Sequence, residues 1–265
     1  MPSQPHADAV AENFSAAAAS YDRWAAPQRL SAERLTAMIP AAAAPGRILD
    51  AGCGTGALVQ QLHQRFPRAS LVGVDLAAGM IDACRRSSAH VPELTLVVAD
   101  LACYEPSHPF DLIASNFSLH WLPDPAGAIR RFRALLDPAG LIALAVPVEG
   151  SLAELAESYR DVTRREMPGT VMLSVDTYLR ALDRAGLRLL RQEISPLVAR
   201  FSSGLDVLRY FRATGTTLRH QPGYRPHSAG HTRRLTRRYE QRFADPSGRV
   251  PLTFSVLYLL AEAAT

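Results

Sequence analysis

Apolar positions in this chain follow first a helical and then an alternating strand-and-helix pattern. From Ala7 to Ile39 an alanine-rich run places Ala16, Tyr21, Trp24, Leu30 and Leu35 at helical spacing, which predicts a pair of amino-terminal helices; the residues through His6 are expected to fray. Pro40 to Pro45 reads as a linker. Short apolar runs near 47–51, 70–75, 94–99, 110–116 and 139–146 then alternate with helical stretches such as Leu58 to Phe66, punctuated by Pro67, Pro92, Pro109 and Pro138. This is the α/β pattern of a doubly wound, mostly parallel sheet covered on both faces. Beyond Val146 the alternation fades. Leu152 to Arg165 and Val175 to Ala185 read as helices, Leu187 to Val198 as a strand, and Phe201 to Phe243 as inserted helices carrying Leu205, Leu208, Tyr210 and Phe211. A Pro246-Ser247-Gly248 turn leads into a last strand, Leu252 to Tyr258. The expected organisation is an amino-terminal helical lid (1–45) and a main domain (46–265) with a helical insertion at about 201–245.

The first strand runs into Ile48-Leu49-Asp50-Ala51-Gly52-Cys53-Gly54-Thr55-Gly56-Ala57, and the second ends in Leu71-Val72-Gly73-Val74-Asp75. Three glycines in a strand-to-helix turn let a ligand approach the backbone, and an acid ending the next strand can accept hydrogen bonds from both hydroxyls of a ribose. The same letters satisfy the dinucleotide pattern G-x-G-x-x-A, so a nicotinamide-dependent oxidoreductase is a competing reading. Two features oppose it. Asp50, two residues before the first glycine, suits a cationic or amine-bearing ligand better than a pyrophosphate. A third acid, Asp100, ends the third strand, where an adenine amino group would donate to it.

Asp50 to Gly56, Asp75 and Asp100-Leu101 together resemble the class I S-adenosyl-L-methionine-dependent methyltransferases, over roughly Gly46 to Val146. The resemblance implies a seven-stranded, Rossmann-like sheet whose last strand is antiparallel. It also implies that Asp75, with Leu76 beside it, holds the ribose. Asp100 and the backbone of Leu101 would hold the adenine with Met80 packed on its face, and the Asp50 and Gly52-Gly54-Gly56 turn the methionyl portion. Asn116, after the fourth strand, joins this set. The product would be S-adenosyl-L-homocysteine. Met80, at helical spacing with Ile81 and Cys84, also reads as an ordinary core residue.

Composition narrows the setting. Nearly half of the 265 residues are apolar, enough for one substantial α/β domain, yet there is no apolar run of about twenty residues and no basic-then-apolar start. A cytoplasmic protein with no membrane span is expected. Cys53, Cys84 and Cys103 are odd in number and scattered, which argues against a disulfide framework or a structural metal. All basic charge is arginine. Arg200, Arg209, Arg212, Arg219, Arg225, Arg233, Arg234, Arg237, Arg238 and Arg242 crowd a stretch with few acids, without the aromatic interleaving or motif of a nucleic-acid binder. An acidic protein partner fits that stretch, and so does a solvated helix face.

Further segments resemble the malonyl-acyl-carrier-protein O-methyltransferases of biotin synthesis. They are Asn13 to Asp22 with Gln28, Ser115 to Trp121, Val148 to Leu155, Arg233 to Arg237 and Gly248 to Phe254, which together span nearly the whole chain. The resemblance implies methyl transfer to the free carboxylate of a malonyl group on acyl carrier protein, or on CoA; a monomer is expected. Such a carboxylate is already ionised near neutral pH and attacks without a base, so positioning and water exclusion carry the catalysis. Tyr21, Asn116 and His120 are the candidate catalytic groups, although a glutamine is common in the family where His120 stands. Trp121, Arg209, Arg212, Arg233 and Arg234 are candidates for substrate or carrier contact. Tyr21 and Trp121 have an ordinary packing role as alternatives, and Asn116 a turn-capping one. Two other readings stay open: a methyltransferase for another small carboxylate or a phenol, and a cofactor-binding module without activity.

Overall fold

The computed structural model describes residues 4–169, 172–217 and 228–263. Its strands are β1 (Arg47–Ala51), β2 (Ser70–Asp75), β3 (Leu94–Val98), β4 (Phe110–Asn116), β5 (Leu136–Pro147), β6 (Leu187–Phe201) and β7 (Val250–Ala263), in the order β3-β2-β1-β4-β5-β7-β6. The first five are parallel, and β7 runs antiparallel between β5 and β6. This is the mostly parallel seven-stranded sheet that the resemblance implies. Chain order reverses between β1 and β4, and the crevice at their carboxyl ends is where sheets of this kind take ligands.

The helices are α1 (Gln4–Trp24), α2 (Ala26–Met38), α3 (Ala57–Arg65), α4 (Ala78–Ser87), α5 (Pro125–Leu135), α6 (Ala153–Thr163), α7 (Val175–Arg184), α8 (Gly204–Ala213) and α9 (Ala229–Phe243). Helices α2 to α9 pack apolar side chains on the sheet, and α1 lies over α4 and α8. Leu35 and Ile39, Leu58 and Leu62, Ile81 and Cys84, Tyr210 and Tyr239 form the core on one face; Ile129, Phe132, Tyr178 and Leu182 form it on the other. β7 feeds both cores from alternate residues, Phe254, Val256 and Tyr258 against Leu257, Leu259 and Ala261. Burying Phe254, Val256, Leu257 and Leu259 contributes about 1.5–3 kcal/mol each relative to exposure, so β7 fastens β6 to the parallel strands.

Four boundaries differ from the sequence expectation. Helix α1 already begins at Gln4, within the stretch expected to fray. Pro138 does not punctuate: β5 starts at Leu136, directly after α5, and the proline sits where its register against β4 shifts, a place that tolerates a missing N–H. β6 continues to Phe201, so the insertion starts at Ser203, whose side chain caps α8 by accepting from the Asp206 amide. β7 runs on to Ala263 because it is paired on both edges. Arg219 and Arg225 lie outside the described residues. No described helix is long and apolar enough to cross a membrane.

Candidate active site

The glycine turn is tied to the neighbouring strand before any ligand is considered. The amides of Gly52 and Cys53 both donate to the Val74 carbonyl, at 2.8 and 3.1 Å, and the Gly54 amide donates to Asp75 Oδ2 at 2.9 Å. Gly52 has φ +80°, and a Cβ there would lie 2.0 Å from Ser118 Oγ, so conformation and contact both demand glycine. Gly54, at φ +53°, has no atom within 4 Å of where a Cβ would stand: its open side belongs to the cavity. Gly56 does not line the cavity, contrary to its expected place in the cofactor set. It precedes α3, and a Cβ would meet Cys84 Sγ and Ser88 Oγ at 2.8 Å, so its role is close packing of α3 on α4.

Three acids stand at or just beyond the carboxyl ends of three neighbouring strands, around one cavity of about 370 Å³. Asp50 is 1% exposed, and neither of its oxygens makes a hydrogen bond of acceptable geometry with a described donor. Burial, followed by the neighbouring Cys84 and Asp75, pushes its pKa well above the usual carboxylate value, and the Val59 amide opposes this least. A buried carboxyl with no cationic partner among the described residues calls for a cationic ligand group. Asp75 is also raised by burial, but its oxygens accept from the Ala77 and Gly54 amides at 2.9 Å, which leaves it braced with lone pairs to spare. Asp100 Oδ1 accepts from the Ala102 amide at 2.9 Å, and both Asp100 and Leu101 line the cavity.

The opposite wall comes from α1, α2 and the end of β4. Phe14, Tyr21, Gln28, Asn116, Phe117, Ser118 and Trp121 all line the cavity, as do Leu76 and Met80 beside the acids. Helix α1 is seated by Thr55, whose hydroxyl donates to Asp22, and by Ser15, whose hydroxyl accepts from the Gly79 amide at 3.2 Å. Burial first, then the nearby Tyr210, Asp75 and Asp22, pushes the Tyr21 phenol far up, so it stays a neutral donor. Asn116 Nδ2 donates to the Gln28 carbonyl at 2.9 Å. Phe117 holds φ +54°, a strained conformation for a bulky residue, of the kind that gathers at functional sites.

Sequence reasoning placed Tyr21, Asp50, Gly52, Gly54, Asp75, Leu76, Met80, Asp100, Leu101, Asn116 and Trp121 in one site, and the fold brings all of them to this cavity. His120 lies outside its lining. The ring packs near Phe117 and Trp121, at 6.2 and 5.2 Å between centroids, and burial lowers its pKa to about 3, which makes it a poor base. The arginines Arg209, Arg212, Arg233 and Arg234 also lie outside the lining, exposed on α8 and α9. Thr55 stands inside the glycine motif but its tie to α1 is not legible there, and no spacing in the sequence distinguishes Phe14 and Tyr210 from core.

The Methyltransferase domain family model matches residues 21–192. A malonyl-[acyl-carrier protein] O-methyltransferase of Geobacter sulfurreducens is 33% identical over 94% of this chain and 96% of its own length. A trans-aconitate 2-methyltransferase of Methylobacterium nodulans is 36% identical, over 49% of each chain. Among solved structures, geranyl diphosphate C-methyltransferase of Streptomyces coelicolor, in complex with S-adenosyl-L-homocysteine, shares the fold with a TM-score of 0.53 and 17% identity, over 89% of this chain and 77% of the other. With its family model spanning well over half of it, the chain belongs to the class I S-adenosylmethionine-dependent methyltransferases and is related to the malonyl-[acyl-carrier protein] O-methyltransferases.

Proposed function

We propose that this enzyme methylates the free carboxylate of a malonyl thioester carried by acyl carrier protein. S-adenosylmethionine, when bound, supplies an activated methyl group on a sulfonium. The residues fit it: Asp50 would hold the cationic methionyl portion, Asp75 the ribose hydroxyls and Asp100 with Leu101 the adenine, while Gly54 leaves room for close approach. The observation that carries the acceptor reading is that the wall from α1, α2 and the end of β4 offers no base among the described residues, while Asp124, a further carboxylate of the lining, is held by the Gly127 amide and Arg130 at the start of α5. Tyr21 is a neutral phenol, Gln28 and Asn116 are amides, and the weakly basic His120 stands outside. A phenol acceptor would need its proton removed there, whereas a carboxylate arrives ionised. The 33% identical relative bears the same name as this activity.

Tyr21 would orient the carboxylate through its hydroxyl. Tyr21→Phe is expected to lower kcat about tenfold, with the Kd for S-adenosylmethionine within about twofold, because the ring keeps α1 packed. Unchanged turnover would leave Tyr21 a packing residue.

The arginine-rich stretch divides into paired and unpaired charges among the described residues. Arg200 pairs with Asp245, Arg209 with Asp206, Arg238 with Asp161, and Arg242 with Glu157 and Asp161. Arg212, Arg233, Arg234 and Arg237 are exposed and form no ion pair among the described residues, so they are the charges free for an acidic carrier. The test is transfer of labelled methyl to malonyl-carrier protein, malonyl-CoA and free malonate. Charge reversal at Arg234 or Arg237 is expected to raise KM for the carrier about tenfold and weaken its salt dependence, while KM for malonyl-CoA stays put. Equal effects on both thioesters would remove the face from carrier recognition. No transfer to any malonyl compound would overturn the acceptor.

A further inference from the structure

Two amide side chains in the cavity wall have carbonyl oxygens that are buried and unpaired: Gln28 Oε1 and Asn116 Oδ1. Burying such groups without a partner is costly, and two together in one wall point to a ligand. Their freedoms differ. Asn116 Nδ2 is committed to the backbone carbonyl of Gln28, which can only accept, so the free end of Asn116 is fixed as an acceptor. Gln28 Nε2 instead donates to the hydroxyl of Tyr210 at 2.8 Å, and a hydroxyl can donate as readily as it accepts. Turning the Gln28 amide over by half a turn lets Tyr210 donate to Oε1 and sends the NH2 to the position that Oε1 held.

We infer that Gln28, seated by Tyr210, is the group that grips the acceptor carboxylate, as a neutral donor. This rests on the carboxylate reading above. An amide is suited to that task because it orients the anion without the strong charge pairing that an arginine would impose on the attacking oxygen. Tyr21 lines the same cavity and supplies a second neutral donor. Tyr210 is a positioning residue: it is 1% exposed, is not among the lining residues and acts through Gln28. Its helix α8 is also joined to α1, where Ser20 donates to the Ala213 carbonyl at 2.9 Å, next in sequence to Tyr21. The two donors therefore share one support.

The test uses the whole protein with malonyl-CoA and malonyl-carrier protein. Acceptor binding is measured by calorimetry on enzyme loaded with S-adenosylhomocysteine, beside kcat and KM. Gln28→Leu is expected to raise both the acceptor Kd and KM at least about tenfold, with cofactor Kd changed less than about twofold. Tyr210→Phe should raise KM about threefold to tenfold, since the amide keeps its donor but loses its seat. Gln28→Glu, nearly isosteric, decides the matter if Gln28→Leu does not fold. Ionised, it repels the acceptor; protonated, it donates as the amide does, so activity should climb as pH falls while wild type shows no such rise. Tyr21 and Asp22 on α1, Tyr210 on α8, and Asp50 and Asp75 across the cavity are common to both proteins, so the difference in profile belongs to position 28. Unchanged Kd and KM in Gln28→Leu, or a wild-type pH profile in Gln28→Glu, overturns the inference and leaves the malonyl reading standing. If wild type instead methylates another carboxylate, such as trans-aconitate, the same variants are read on that acid and only the malonyl reading falls. A wild type that methylates phenols and no carboxylate overturns both.

Discussion

Asp50→Asn is expected to leave the ligand-free protein at least as stable as wild type while weakening S-adenosylmethionine binding by more than about a hundredfold, close to 3 kcal/mol. The two effects have one cause. Asp50 is 1% exposed, and the Val59 amide is the weakest of the influences on its pKa, so ionising it in the free protein costs desolvation that this amide does not return. Burial leads the upward shift of its pKa in the folded state, against 3.8 for the unperturbed group. The folded state therefore holds this proton more tightly than the unfolded chain. The resulting stabilisation is fully present below the unfolded pKa and is lost as pH rises through the higher, folded value. At pH 8 the isosteric amide avoids that loss, and the melting temperature should rise by about 2–4 °C, the equivalent of roughly 1 kcal/mol. A cationic ligand reverses the balance, because only the carboxylate pairs with it. Wild-type affinity should then increase with pH through the raised pKa, with proton release visible as buffer-dependent binding enthalpy, and Asp50→Asn should abolish the Asp50 part of that release. Asp75, raised in the same direction, remains in both proteins and sets the background. Calorimetry that finds equal affinity in the two proteins would remove Asp50 from the cofactor site.

The cofactor half was legible because its residues are constrained by backbone geometry, which leaves a mark in the letters. Gly52 and Gly54 adopt positive φ at a strand-to-helix turn, and Asp75 ends the next strand, where its carboxylate reaches the Gly54 amide. Gly56 shows the limit of this reasoning. It shares the positive φ, yet serves the packing of α3 on α4 rather than the cavity, and spacing alone does not separate these uses. The opposite wall is assembled from residues far apart in sequence. Gln28 meets Tyr210 and Asn116 across long stretches of chain; Asn116 is marked by its place after the fourth strand, but nothing in the spacing joins Gln28 to Tyr210. Charge was half legible. The arginine cluster is visible by counting, but only the fold reveals that Arg238 and Arg242 answer acids on α6, whereas Arg233, Arg234 and Arg237 on the same helix answer none among the described residues.

Gly52→Ala is expected to cost about 3 kcal/mol of stability and most of the cofactor affinity, through two separable terms. An alanine held at φ +80° carries about 1–2 kcal/mol of backbone strain. Its Cβ would also stand 2.0 Å from Ser118 Oγ and 2.4 Å from Ser118 Cβ. Rotating the hydroxyl away relieves the first contact but not the second, so the backbone at Ser118 has to move, at about 1–3 kcal/mol for overpacking. That movement reaches the cavity, because Phe117, Ser118 and Trp121 line it together and Phe117 is already held at φ +54°. Adding Ser118→Gly should return the overpacking term and leave the strain, a coupling of about 1–3 kcal/mol in a double-mutant cycle. Gly54→Ala supplies the contrast. No atom lies within 4 Å of its would-be Cβ, so stability should fall only by the backbone strain, while the methyl projects into the space where the methionyl portion would lie. Denaturant unfolding and cofactor titration on these variants, with Ser118→Gly alone to close the cycle, should therefore separate the two glycines: position 52 loses stability and binding together, and position 54 loses mainly binding. If Gly52→Ala stays within about 0.5 kcal/mol of wild type, the contact with Ser118 does not constrain the turn, and Gly52 is conformationally permissive rather than required.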